Sequence, residues 1–185
     1  ESQNHDDGGL VRNDGDSNDR REGDECRRAA VVAALLAAHP RGRTASDAAD
    51  GRTPLNLACR RDPPSAHIVR ALLFNNGAVE TGEETIVQLG TVLRERDRHG
   101  WTPLHHACSR SNGRAVGVVS ALLEAERIAS EGAGILGDAL VVNITQAKTM
   151  KNDLALHVAC EFGAPASVVS LLLERYPEAM HHQND

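Results

Sequence analysis

The chain predicts an all-α solenoid of stacked helix pairs, and three observations carry that prediction. A seven-residue block recurs: Thr53-Pro54-Leu55-Asn56-Leu57-Ala58-Cys59, then Thr102-Pro103-Leu104-His105-His106-Ala107-Cys108, then, more worn, Leu154-Ala155-Leu156-His157-Val158-Ala159-Cys160. A second block trails each copy at a nearly fixed distance: Ile68 to Leu73, Val118 to Leu123 and Val168 to Leu173. Hydrophobic residues make up 41% of the 185 but aromatic residues only 2%. Such a stock of Ala, Val and Leu fills thin layers of helix better than a wide enzyme core. One helix pair cannot bury its own apolar face; stacked neighbours do that for it.

In chain order, residues 1–24 come first. They are rich in Asp, Asn, Gly and Arg with almost nothing apolar, which predicts a disordered, acidic leader. Residues 1–28 hold nine acids and five bases, so most of the net charge of −6 sits here. The remainder is near balance and shows no basic stripe interleaved with aromatics, so no nucleic-acid partner is expected. Val31-Val32-Ala33-Ala34-Leu35-Leu36 then parallels Val168 to Leu173, and each is followed by Pro four residues on, Pro40 and Pro177. Cys26 to His39 therefore reads as the second helix of a leading unit whose first helix is missing or hidden in the polar stretch. The longest apolar run, Ala29 to Ala38, has ten residues, half of the about 20 that a membrane span needs. The acidic stretch ahead of it is unlike a secretory signal.

Each unit then reads as two short helices. Pro54 and Pro103 fit a first turn, where the missing N–H loses no partner, and Thr53 and Thr102 stand ready to cap with their hydroxyls. Ala58, Ala107 and Ala159 are small where helices must approach closely. In the second helices Val168, Val169, Leu172 and Leu173 share one face. The motif leucines Leu55, Leu104 and Leu156 lie 49 and 52 residues apart, far more than two short helices use. The excess falls at Asn76 to Arg96 and Ile128 to Met150. In the first insertion Ile86, Leu89, Val92 and Leu93 predict a short extra helix, weakened by Gly90. In the second, β-branched Ala139 to Ile144 predicts a short extended segment.

The motif resembles the ankyrin repeat, whose signature is T-P-L-H-x-A in a unit of about 33 residues. Thr102 to Ala107 matches in full, and Asp97-Arg98-His99-Gly100 resembles the family's turn. The first copy keeps Asp50-Gly51 before Thr53, Pro54, Leu55 and Ala58 but has Asn56 for the motif His. The third keeps Leu156, His157 and Ala159, with Leu154-Ala155 for Thr-Pro and Asn152 for the turn Gly. The fold implied is an ankyrin-like helix-turn-helix solenoid with long finger-loop insertions. Its division is a leader at 1–24 and an array at 25–185, made of a partial repeat (25–49), two repeats (50–98 and 99–150) and a truncated one (151–185). The half-unit at one end and the broken unit at the other predict a piece of a longer array. The resemblance also implies that His105 and His157 act as hydrogen-bonding struts between adjacent turns. Leu154 has no hydroxyl to complete the third.

Other constellations have plainer explanations in the repeat. His105, His106 and Cys108, echoed by His157 and Cys160, lack the tight spacing of a metal site, so neither metal nor cofactor is expected. Cys108 and His105 share a helix face, but no orienting third group or oxyanion site accompanies them. Cys59, Cys108 and Cys160 hold one repeat position and read as small buried hydrophobes. Their thiols, too far apart to pair, point to a reducing, intracellular and cytoplasmic setting. Gly132-Ala133-Gly134-Ile135-Leu136-Gly137 mimics a phosphate loop but lacks the strand before it and the acid after it; a flexible insertion loop is expected. The function expected is a non-enzymatic scaffold that binds a protein partner through a concave face. Arg60, Arg61, Trp101, Arg110 and Glu161 are the candidate contacts, because Trp and Arg dominate interface energies. A regulatory or targeting segment of a larger enzyme is the alternative.

Overall fold

The computed structural model describes residues 15–74, 82–110, 113–136 and 143–184. Eight α-helices occur among them: α1 (Gly15–Ala38), α2 (Pro54–Arg60), α3 (Ala66–Leu73), α4 (Glu83–Arg94), α5 (Pro103–Cys108), α6 (Ala115–Leu136), α7 (Ala155–Glu161) and α8 (Ala166–Arg175). Short 3-10 turns follow at Pro40–Arg43, Ile144–Gln146 and Pro177–His181. No β-strand occurs among the described residues.

Two rows of helices form the body. The short first helices α2, α5 and α7 pack side by side in one row, and the second helices α1, α3, α6 and α8 form the other. The motif explains the short row. Thr53 Oγ1 accepts from the Asn56 N–H at 3.3 Å, and Pro54 follows in the first turn. Ser65 does the same service for α3, accepting from the Ile68 N–H at 3.5 Å. The core lies between the rows: Leu55, Val69, Leu73, Leu104, Val118, Val119, Leu122 and Val168 are all buried at 1% exposure or less.

The first insertion folds as expected. Ile86, Leu89, Val92 and Leu93 of α4 are buried, and α4 lies against α6. Gly132 explains how closely: a Cβ there would sit 2.3 Å from Ile86 Cδ1. The same contact corrects two expectations. Residues 128–136 continue α6 rather than opening an insertion, and the glycine-rich segment from Gly132 is helical rather than a loop, because α4 covers that side of the helix. Gly137 and Ala139 to Val142 lie outside the described residues; Ile144 itself opens a 3-10 turn.

The leader also needs correction. Helix α1 runs back to Gly15, so residues 15–24 are helical where disorder was expected. Asp24 and Arg27 pair one turn apart, and the Glu25 carboxylate accepts from the Ser65 hydroxyl at 3.0 Å and pairs with Arg114 at 3.3 Å. Residues 1–14 lie outside the described residues. Cys160 is exposed, unlike the buried Cys59 and Cys108. Each of the latter has a first helix of the next unit beside it, and among the described residues nothing equivalent follows α7.

Candidate functional site

Three turns, one before each first helix, build one side of the site. In each, a side chain caps two backbone N–H groups. Asp47 Oδ1 accepts from Asp50 and Arg52, Asp97 Oδ1 from His99 and Trp101, and Thr149 Oγ1 from Lys151 and Asp153. One backbone bond closes each turn: Asp47 to the Arg52 carbonyl, Asp97 to Trp101 and Thr149 to Asp153. The residue before the closing position is left-handed in all three: Gly51 at φ 70°, Gly100 at 76° and Asn152 at 63°. Asn is the non-glycine residue that tolerates this region best. Adjacent turns are stitched by Arg98 N–H to the Asp50 carbonyl and Met150 N–H to the His99 carbonyl.

The motif histidines tie first helices to these turns. The Thr102 N–H donates to His105 Nδ1 at 3.2 Å, and the Thr102 hydroxyl lies 2.7 Å from the same atom. Nδ1 is thus the acceptor, which leaves the proton on Nε2. Nε2 donates to the Asp153 carbonyl, in the next turn, at 3.2 Å. His157 repeats the arrangement, accepting from the Leu154 N–H at 3.0 Å and donating to the His182 carbonyl at 3.0 Å. The strut therefore survives without the Thr hydroxyl. Burial holds the His105 value down to about 4, with the Asp153 carbonyl only partly opposing it. In the first unit Asn56 is fully buried, and neither its Oδ1 nor its Nδ2 has a hydrogen-bond partner among the described residues.

A second polar cluster lies beside the strut. His106 Nε2 donates to Asp97 Oδ2 at 3.1 Å, and Arg52 Nε approaches the same oxygen at 3.5 Å while the guanidinium also pairs with Asp50. Burial opposes ionisation of Asp97, but the Trp101 and His99 N–H groups and His106 hold its carboxyl below the usual value. Burial likewise lowers His106, to about 4, against the pull of Asp97. A sequence signal for this cluster existed: the motif position of His106 is apolar in the other copies, Leu57 and Val158. A second buried acid, Glu126, accepts from the Ile144 N–H at 2.7 Å and from Arg175 at 3.2 Å, pinning the second insertion and α8 to α6.

Turns and first helices together frame a groove of about 780 Å³. Arg60, Trp101, Arg110 and Glu161 all line it, with Phe162 and Lys151. Arg61, at the end of α2, does not. Trp101 is half-buried, its ring centroid 5.2 Å from that of His106 and 6.3 Å from that of Phe162. It is thus part of the wall, not a free surface anchor. Arg110 is half-buried as well, with its Nε lacking a hydrogen-bond partner among the described residues.

The Cys108 thiol is fully buried and its ionisation is pushed up by burial. His105 is committed to Thr102 and Asp153, so the pair has a structural use. No described helix is long and apolar enough to cross a membrane. The chain matches the family model described as ankyrin repeats (3 copies), over residues 25–131 and again over 75–185. No curated protein matches it.

Proposed function

The chain belongs to the ankyrin repeat family, whose repeats are generally protein–protein interaction modules, and on that premise we propose that it is a non-enzymatic scaffold holding a protein partner in the groove between its turns and first helices. One observation carries this reading. Trp101 comes from a turn, and Arg60, Arg110 and Glu161 from the C-terminal ends of three different first helices, yet they share one groove. Trp101 and Phe162 supply an apolar wall, and the guanidinium of Arg110 supplies an underused donor at its edge. Large, rigid aromatic surface beside Arg is the composition that dominates binding energy at interfaces.

The test is site-specific crosslinking in cells. A photoreactive residue at Arg60 should capture a defined protein, and one at Val87, an exposed position on α4, should not. Equal labelling from both positions, or none from Arg60, would remove the support for this groove.

A further inference from the structure

The groove between the turns and the first helices holds charges that its internal pairing does not use. Arg52 is spent on Asp50 and Asp97. Asp97 also takes the His99, Trp101 and His106 N–H groups. Asp153 accepts from the Thr149 hydroxyl at 3.2 Å and from the Asn184 amide at 2.6 Å. Left over are Arg60, Arg110, Lys151 and Glu161, whose side chains have no hydrogen bond or ion pair among the described residues. Three of these are cations and one is an acid. Arg110 Nε is withdrawn from water with no acceptor, a cost that an incoming anion relieves.

The unspent charges stand in a line. Arg60 ends α2, Arg110 follows the end of α5, and Glu161 ends α7; α5 packs between α2 and α7. Packed helices lie about 8–10 Å apart. A polyproline II segment has three residues per turn and rises about 3.1 Å per residue, so every third side chain shares one face at intervals of about 9 Å. That spacing matches the row, whereas a β-strand turns every third side chain to its opposite face. The wall suits the same conformer. Trp101 and Phe162 meet edge to face with ring centroids 6.3 Å apart, and proline-rich segments dock on aromatic-lined grooves.

We propose that the groove takes a proline-rich, acidic segment of its partner protein in the polyproline II conformation. Two acids three residues apart face Arg60 and Arg110, and a basic residue three further on faces Glu161. The inference rests on the reading of the groove given above and names the chemistry of what the groove holds. Charge complementarity selects this occupant. Carboxylates offer Arg60 and Arg110 the bidentate partners that a guanidinium fits, and Lys151 adds to the attraction. A basic segment would meet three unspent cations and one acid, and like charges across an interface reject a partner.

The experiment uses the full chain and fluorescently labelled peptides. Glu-Pro-Pro-Glu-Pro-Pro-Lys and its reverse are the probes; Gln-Pro-Pro-Gln-Pro-Pro-Lys and the scramble Glu-Glu-Lys-Pro-Pro-Pro-Pro are the controls. One probe should saturate in anisotropy and bind at least tenfold more tightly than either control. Arg60→Glu with Arg110→Glu should weaken it at least tenfold at an unchanged melting temperature. Should that variant melt early, Arg60→Glu, at an exposed position, carries the test. Arg61→Glu, the same charge change outside the groove, should alter binding less than twofold. The inference is overturned by a glutamine or scrambled peptide that binds as well as the probes, by titrations that never saturate, or by affinity that survives Arg60→Glu. The photoreactive residue at Arg60 separates this failure from that of the wider reading. Capture of a defined protein through a segment without acids overturns the acidic ligand and leaves the scaffold standing; capture of nothing removes both. In the purified chain alone, a crosslink from Arg60 to residues 1–14 or to a second copy would overturn the inference by making that segment or copy the occupant.

Discussion

The first and second helix pairs carry nearly the same motif and are treated differently by the stack. In the second, α5 lies between α2 and α7, all six of its residues are buried, and His105 and His106 are both hydrogen-bonded. In the first, among the described residues, α2 has a first-helix neighbour on one side only, Leu57 is exposed, and the buried Asn56 side-chain amide lacks a hydrogen-bond partner. The motif specifies a helix and its cap; the neighbour decides what each position costs or contributes. A residue's energetic weight in this chain is therefore read from its place in the row, not from its match to the pattern.

The largest expected effect follows from that contrast. Leu104→Ala leaves a cavity at a fully buried position and should cost about 2–5 kcal/mol, a large share of the total for a marginally stable domain. Leu57→Ala should move stability by about 0.5 kcal/mol or less. Chemical denaturation of the two variants measures both, and similar losses would break the comparison.

Acid comes next. His105 and His106 are held neutral, with values near 4 in the folded chain against about 6.5 when unfolded. The folded values are depressed, so as pH falls the unfolded state takes up protons first. Stability is fully present above about pH 6.5 and is lost progressively toward pH 4, by up to roughly 3 kcal/mol for each histidine. The first unit, with Asn56 and Leu57 at these positions, contributes nothing to this slope. Denaturation midpoints at pH 7 and pH 4.5 should differ strongly, and His105→Asn should remove about half of the difference. A flat profile in the parent chain would mean that the two rings are not held neutral by burial.

A smaller effect sharpens the same contrast. Asn56→His should restore the missing strut, with Nε2 directed at the Trp101 carbonyl, the counterpart of the Asp153 carbonyl that His105 uses. Satisfying a buried polar group is worth about 1 kcal/mol or somewhat more. A gain in the thermal midpoint is expected; a loss would show that the first unit has no room for the ring.

Much of this was legible in the sequence, for identifiable reasons. Helices α2, α5 and α7 follow from a local signal, Thr-Pro and the apolar period, and α4 follows from Ile86, Leu89, Val92 and Leu93. What failed was set by contacts between distant segments. Helix α1 is tied to the stack where Glu25 meets Ser65 and Arg114, 40 and 89 residues away. The helical state of Gly132 to Leu136 depends on α4 lying across it. At the groove, the residue types were readable and the partnership was not. Arg60 and Glu161 are about a hundred positions apart, and only the register of the stack brings them to one wall. The turn acid of the first unit was misplaced for the opposite reason. Asp50-Gly51 looks like the motif, but Asp47 does the capping, because that turn is one residue longer than the other two.

The central claim is that the core of the stack and the binding groove are separable. The most direct measurement is thermal unfolding beside capture of the crosslinked partner, for Leu104→Ala and for a combined Arg60→Ala and Arg110→Ala variant. The account predicts that Leu104→Ala loses fold and capture together. The arginine variant should melt within about 0.5 kcal/mol of the parent while capture falls at least tenfold. An arginine variant that captures the partner as well as the parent does, with the fold intact, would contradict it.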